Sequence, residues 1–380
     1  MGAIMTGLNI TVAGAGIGGL TVATALARDG HRVRVAERAA EISEVGAGLQ
    51  ISPNGRAVLV ALGLEQALDA VSVRADKVRL INGPNGREVT TLDMTRDVKV
   101  WAFVHRARLI EVLQKAALDA GVEIETGREI TAPGSGAALE GDDLLIGADG
   151  LHSSVRSILN PSSEPFFTHQ VAWRAVIPET SAAPEVEVHM GPNRHLVSYP
   201  LAGGLRNIVA VEERTGWADE GWAIEDDPAN LRAAFNGFSP RVRGWLDQVE
   251  AVFLWGLFRH PVARTWWQGR QVLLGDAAHP TLPFLAQGAN LALEDAWVLA
   301  ACLKTHAMPD ALARYQEARA DRAQRVVDAA TRNARNYHLS FPPLRLAAHT
   351  ALGLIGRFSP DAMLNRYDWL YSHDVTKIDL

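Results

Sequence analysis

Cysteine is almost absent from this 380-residue chain, which holds only Cys302. A single thiol excludes an internal disulfide and the paired thiols of a disulfide reductase, and it fits a reducing cytoplasm. Positive charge is not in excess. Lys and Arg number 37 against 43 Asp and Glu, a net charge of −6. With no basic stretch to offset it, that balance gives no reason to expect nucleic acid. No apolar run reaches the ~20 residues that span a bilayer. The apolar start, residues 8–13, runs straight into a glycine loop and reads as a buried first strand, not a secretion signal. Residues 347–355 are apolar but short, and read as a core or subunit-contact helix in preference to one lying on a membrane. No internal repeat is visible, and no metal site is expected.

The chain is 48% hydrophobic and 21% charged, hence globular, and long enough for two intimately joined domains. Residues 8–37 read as strand, tight turn, helix and strand. Further helices are expected at 53–64, 106–120, 290–303 and 311–336, with short strands over 73–104 around the turn signal Asn82-Gly83-Pro84-Asn85-Gly86. Residues 131–141 read as a tight glycine-rich connection, and 144–147 as a strand. From 165 to 260 the pattern changes. Val186, Val188 and Met190 alternate with Glu185, Glu187 and His189, and strand patterns continue at 195–201, 208–211 and 252–258. This predicts an inserted antiparallel sheet over a dinucleotide domain. A buried strand returns at 272–274, and the tail from 342 is mostly helical.

Three separated motifs carry chemistry. Gly14, Gly16 and Gly19 form G-x-G-x-x-G between a strand and a helix, where the first glycine permits the turn, the second lets backbone approach a pyrophosphate and the third packs helix on strand. The helix N-terminus then offers N–H groups and a positive dipole end to phosphates. Glu37 ends the second strand at a position suited to a ribose. The motif alone does not separate FAD from NAD. The segment GDAAHPTLPFLAQGAN, residues 275–290, does. Asp276 is placed to accept hydrogen bonds from sugar-alcohol hydroxyls, or else to cap a helix. Gly288-Ala289-Asn290 open a helix whose N–H groups and dipole would stabilise negative charge on a reduced flavin. Pro283 fixes the chain direction before that loop.

Taken together, GAGIGG (14–19), Glu37-Arg38, GAGLQISPN (46–54), His105-Arg106, GADGLHSSVR (147–156) and GDAAHPTLPFLAQGANLALEDA (275–296) resemble the single-component FAD-dependent aromatic hydroxylases, the class A flavoprotein monooxygenases. The likeness runs from about residue 8 to 305. It implies an α/β fold: a Rossmann-like FAD-binding domain (1–72, 101–164 and 265–340), an inserted antiparallel β-sheet substrate domain (73–100 and 165–264) and a short helical C-terminal tail (341–380). It implies that Glu37 binds the adenosine ribose and that Arg38 and Arg106 line the pyrophosphate and ribityl region. Asp149-Gly150 with Arg156 would serve FAD and NAD(P)H. Asp276 would hold the ribityl chain, Gly288, Ala289 and Asn290 the flavin ring, and Pro283 would lie at its reactive edge. His279 reads as structural in preference to a base. Two departures stand out: residues 128–145 are short for an expected strand pair, and the tail is brief for a C-terminal domain.

The activity so implied is hydroxylation of a small aromatic or heteroaromatic compound, a salicylate-like acid first, using NAD(P)H and O2 through a flavin C4a-hydroperoxide. A cytoplasmic monomer or homodimer is expected. Such a site needs an apolar, aromatic wall with few polar anchors. Trp173, His195, Ser198 and Tyr199 are the candidates, with Arg174 or Arg206 for a substrate carboxylate. Alternation over 195–201 puts Leu196 and Ser198 on one face and His195, Val197 and Tyr199 on the other. The resemblance favours the Ser198 face for the pocket, with Pro283, Gly288 and Ser198 nearest the chemistry. A flavin reductase without oxygen insertion and a non-catalytic FAD-binding protein are the competing readings.

Overall fold

The computed structural model describes residues 7–42, 47–95, 100–134, 136–162, 164–216 and 224–379. Gly46, the first residue of the segment 46–54, lies outside the described residues. The first strand, Asn9–Ala13, is buried through its centre because it lies between Arg32–Glu37 and Leu144–Gly147, paired in parallel with both. The whole sheet has six strands, in the order Trp267–Gln268, Gln271–Leu273, Leu144–Gly147, Asn9–Ala13, Arg32–Glu37 and Glu123–Thr126. Only the pairing of Trp267–Gln268 with Gln271–Leu273 is antiparallel. Helix Ile17–Arg28 follows the first strand, and every residue from Ile17 to Leu26 is buried. Parallel strands demand such crossovers, and the helices they bring cover the sheet. No strand forms among the described residues of 128–143, so the short connection expected there stands.

A second sheet of eight strands holds Glu225–Asp226, Val252–Arg259, Phe166–Pro178, Leu205–Glu213, Arg194–Leu201, Glu185–Gly191, Lys77–Asn82 and Glu88–Asp93, in that order. The expectation of an antiparallel sheet needs one correction: Glu185–Gly191 and Lys77–Asn82 run parallel, because the latter strand arrives from an earlier segment and not through a hairpin. Gly48–Ile51, Ala102–His105 and Ser72–Arg74 form a small third sheet.

Both faces of the eight-stranded sheet are covered. One looks toward the dinucleotide domain. The other packs under helices Pro228–Ala234 and Pro240–Leu246, where Trp173, Leu196, Ile208 and Ala210 meet Leu231, Phe235, Val242 and Trp245. These two helices were not expected from the sequence, although Asp227-Pro228 and Ser239-Pro240 both place a capping residue before a first-turn proline.

Of the two roles expected for residues 347–355, core helix or subunit contact, the core role is overturned. Helix Pro342–Phe358 has no buried residue, and Leu344, Leu346, Leu354 and Phe358 are more than half exposed. One side of it lies on the edge strand Glu88–Asp93, where Gly353 and Gly356 allow close approach to Val89 and Thr90. No helix among the described residues is long and apolar enough to cross a membrane.

Candidate active site

A cavity of about 850 Å³ lies between the two large sheets. Its dinucleotide side begins at the glycine loop. Gly14 has φ +102°, and a Cβ there would stand 2.5 Å from the Ala148 carbonyl oxygen. At Gly16 a Cβ would meet nothing within 4 Å, because the position opens onto the cavity wall formed with Ile17 and Gly18. The first-turn N–H groups have no intrahelical acceptor and face this space. Glu37 does not enter it. Its carboxylate accepts from the Ala15 N–H (2.8 Å) and the Ala39 N–H (2.9 Å), bracing the loop, and Arg38 beside it is exposed.

Ala148, Gly150 and Leu151 continue the wall. Asp149 Oδ2 accepts from the Ser154 N–H (2.9 Å), while Oδ1 is buried with no hydrogen-bond partner among the described residues. Burial raises its pKa, against the pull of Ser153 and Ser154. Such an orphaned acceptor beside a glycine loop is suited to a ligand hydroxyl. Arg156 is turned inward. Its guanidinium donates to the carbonyls of Ala277 (2.9 Å), Ala278 (3.0 Å) and Pro261 (2.5 Å), and so pins the segment that carries Asp276.

Asp276, Arg106 and His260 are the polar groups of the floor. Burial raises the Asp276 pKa, partly offset by the positive potential of His279, Arg106 and His260. Asp276 Oδ1 lies 3.9 Å from the point a Cβ on Gly288 would occupy, so it faces the start of helix Gly288–Thr305. Pro283, Gly288 and Ala289 line the cavity. Between them Ala286 adopts φ +53°, a conformation disfavoured for any residue with a Cβ.

Asn290, in the first turn of helix Gly288–Thr305 as expected, also holds the bend through its side chain. Its amide donates to the carbonyls of Ala286 (2.7 Å) and Gln50 (3.0 Å), and its oxygen accepts from the Ser52 N–H (3.0 Å). The side chain is a latch between segments and does not line the cavity. His279 is structural, as expected: its Nε2 meets Asp295 Oδ2 at 2.5 Å in the buried interior.

The opposite wall is the eight-stranded sheet. Val186, Val188 and Met190 face the cavity, and strand register carries that face to Val197 and His195, then to Val209 and Val211. Tyr199, Arg174 and Trp255 complete it, with the Arg174 guanidinium 4.1 Å from the Trp255 ring centroid. Burial raises the Tyr199 pKa, so its phenol stays protonated.

Ser198 is therefore on the wrong face for the role expected of it. Its hydroxyl donates to the Asn207 carbonyl (3.0 Å) and accepts from Arg206 (2.9 Å). Arg206 itself stacks on Trp245, and the Trp173 indole donates to Asp226. The alternation over 195–201 is right and the choice of face is wrong, because the unforeseen helices bury the other face as fully as the cavity does. Of the candidates, His195, Tyr199 and Arg174 reach the cavity; Trp173, Ser198 and Arg206 lie behind the sheet.

An anion-seeking helix start behind a glycine that opens onto the cavity, an unsatisfied Asp149 oxygen and a carboxylate facing a second helix start fit one extended dinucleotide with a polar chain in its middle. Comparison with known proteins agrees. The FAD binding domain family matches residues 8–330. A 3-amino-4-hydroxybenzoate 2-monooxygenase of Streptomyces platensis is 32% identical over 391 aligned residues, covering 97% of each chain. A 3-hydroxybenzoate 6-hydroxylase of Aquipseudomonas alcaligenes is 31% identical, covering 97% of this chain and 98% of its own. A salicylate hydroxylase solved as a substrate complex shares the fold, with a TM-score of 0.80 at 22% identity over 98% of this chain and 97% of its own. With its glycine loop and Asp276 segment on two sides of one cavity, the chain belongs to the FAD binding domain family, among the FAD-dependent aromatic monooxygenases.

Proposed function

We propose that the substrate is a small phenolic carboxylic acid and that NAD(P)H is the electron donor. The observation that carries this reading is the composition of the sheet wall. Its central strands present Arg174, Tyr199 and His195 among Val186, Val188, Met190, Val197 and Val209, with Asp93 on the edge strand. One guanidinium suits one carboxylate, two neutral hydrogen-bonding groups suit a phenol, and the apolar remainder suits a ring. The names of the Streptomyces and Aquipseudomonas relatives, both acting on hydroxybenzoates, support the same substrate class. A cytoplasmic location and a monomeric or homodimeric state belong to this reading.

FAD, when bound, supplies the oxygen activation and the redox chemistry. The chain supplies the rest. The N-terminus of helix Ile17–Arg28 would hold the pyrophosphate, Asp276 and Arg106 the ribityl region, and the start of helix Gly288–Thr305 the ring. Val197, Val209 and Pro283 keep water from the space where the substrate ring lies. Arg174 would orient the carboxylate so that one edge of the ring faces Pro283.

The test is incorporation of label from ¹⁸O₂ into product while hydroxybenzoates are screened for stimulated NAD(P)H oxidation. One ¹⁸O atom per product is expected. Stimulated oxidation with hydrogen peroxide as the sole oxygen product, across all the acids, would reassign the protein to the reductase reading.

Asp276→Ala is expected to weaken FAD binding by ~1–3 kcal/mol, the range for removing a buried charge-assisted hydrogen bond. Fluorescence titration of the apoprotein measures it. Unchanged affinity would leave Asp276 with a structural role alone.

A further inference from the structure

We propose that His195, His338 and Glu213 form a proton relay that carries the phenolic proton of the substrate from the buried cavity to solvent. The inference rests on the phenolic reading above and adds an exit route to it. His195 lines the cavity and is 2% exposed. Its Nδ1 is 2.6 Å from His338 Nε2, and His338 Nδ1 is 2.8 Å from Glu213 Oε1. The His338 side chain is 1% exposed, whereas that of Glu213 is 42% exposed. Three groups in hydrogen-bond series thus run from the cavity wall to the surface.

The chain of donors has one self-consistent direction. A carboxylate only accepts, so His338 Nδ1 carries the proton and its Nε2 is the acceptor. His195 Nδ1 must then donate to it. His195 Nε2, the ring nitrogen not bonded to His338, is left as an acceptor on a cavity-lining ring. Gln170 Nε2 lies 3.5 Å from His338 Nδ1, a marginal distance beside the 2.8 Å of the carboxylate.

The backbone fixes this alignment. His338 ends helix Met308–Tyr337, and its carbonyl accepts from the Asn193 N–H (3.1 Å). The Asn193 carbonyl in turn accepts from the Glu213 N–H (2.9 Å). Asn193 reaches both through a left-handed conformation, φ +59°, which asparagine tolerates. The His195 ring is flanked by Phe284 and Tyr337, with centroids 5.8 and 5.2 Å away.

Burial holds the pKa of His195 well below its ordinary value, with His338 adding to the effect. Burial lowers that of His338 as well, against the pull of Glu213. The other charged or titratable groups facing the pair are Arg194 with its partner Glu212, and Tyr337. Neither ring therefore stores a proton; it must pass through. The substrate O–H bond breaks as His195 Nε2 takes the proton. The Nδ1 proton of His195 moves to His338 Nε2, and the Nδ1 proton of His338 moves to Glu213 or surface water. One proton leaves, both rings stay neutral, and reverse flow during product formation restores the starting tautomers.

Two measurements test the relay. With ¹⁵N-histidine in the FAD-loaded protein and no substrate present, both rings should be neutral at pH 7 and protonated at Nδ1. Protonation at Nε2 on either ring overturns the proposal. This arm needs no substrate, so failure of the relay is separable from failure of the phenolic reading, which the ¹⁸O₂ assay decides. In the second arm His338→Phe, and Glu213→Gln as the milder change, are assayed with the acid that assay selects and with ring-fluorinated analogues of lower phenol pKa. For His338→Phe, kcat should fall about 100-fold with little change in KM. The loss should shrink as the phenol becomes more acidic or as pH rises past its pKa. Glu213→Gln keeps a hydrogen-bond acceptor but not a proton acceptor, and should lose about tenfold with the same dependence. An equal loss for every analogue, or none, overturns the relay and leaves His338 a structural part.

Discussion

Arg319→Met is expected to destabilise the protein by about 3–5 kcal/mol, the cost of leaving buried charge without its partner. Arg319 is fully buried. Its Nε donates to Asp295 Oδ1 at 2.7 Å, and its Nη1 stands 2.7 Å from Glu294 Oε2, close enough for an ion pair though out of line with the N–H bonds. Glu294 also accepts from Arg322 (2.7 Å) and from the Asn54 amide (2.6 Å), and Asn54 in turn donates to the Gln287 side-chain oxygen (3.0 Å). Gln287 is the residue at which helix Gly288–Thr305 begins. Removing the guanidinium takes one cationic partner from each of two buried carboxylates, leaving Glu294 to Arg322 and Asp295 to His279, and loosens the helix start that faces the cavity. Methionine conserves much of the volume, so the loss reads charge and not a void. Urea unfolding of the FAD-free protein measures it, and a change below ~1 kcal/mol would mean that the carboxylates are neutral or hydrated.

The same network sets acid sensitivity. Burial alone would raise the Asp295 pKa, but His279 and Arg319 more than offset it and hold it at about 2, below the ordinary 3.8. The Glu294 pKa is lowered too, where burial is outweighed by Arg319 and Arg322. Groups whose folded pKa is depressed contribute stability above their unfolded pKa and lose it as pH falls through the folded one. The wild type should therefore lose this contribution between about pH 4 and 2. Arg319→Met should begin to unfold at higher pH, because its carboxylates take up protons sooner.

How far the site was legible depends on what each residue touches. Gly14, Gly16 and Gly19 were readable because a strand–turn–helix in sequence order leaves few alternatives for them. The Asp276 segment was readable for the same reason, its strand, bend and helix start being consecutive. The side-chain latch of Asn290 was not readable because its partners, Gln50 and Ser52, come from a segment far away in sequence. Ser198 failed differently. Alternation gives two faces, and the sheet is covered on both, so period alone cannot say which cover is protein and which is cavity. The expected side was decided by the likeness and not by packing. The Asp227-Pro228 and Ser239-Pro240 starts were the available warning that helices would bury the Ser198 face. His338 and Glu213 carried no signal at all, since their meeting requires the end of a 30-residue helix to land on a hairpin.

Gly19→Ala is expected to weaken FAD binding by about 100-fold, which is ~2.7 kcal/mol. A Cβ at this position would stand 2.0 Å from the Gly14 carbonyl oxygen and 3.4 Å from the Ala148 Cβ. The first obstacle is backbone and cannot swing aside as a side chain would. Either helix Ile17–Arg28 lifts from its strand or the Gly14 turn opens, and each displaces the N–H groups at the cavity edge that would meet the pyrophosphate. Overpacking also costs about 1–3 kcal/mol of stability, so affinity and melting temperature must be measured together. Gly30→Ala supplies the comparison. Gly30 has φ +90° with open space around its missing Cβ, so alanine there strains the chain without touching the loop. It should cost about 1 kcal/mol of stability and leave FAD affinity unchanged. If Gly19→Ala instead follows Gly30→Ala, losing stability but binding FAD as the wild type does, the close approach of helix to loop is a packing feature only, and the glycine loop does not position the cofactor through it.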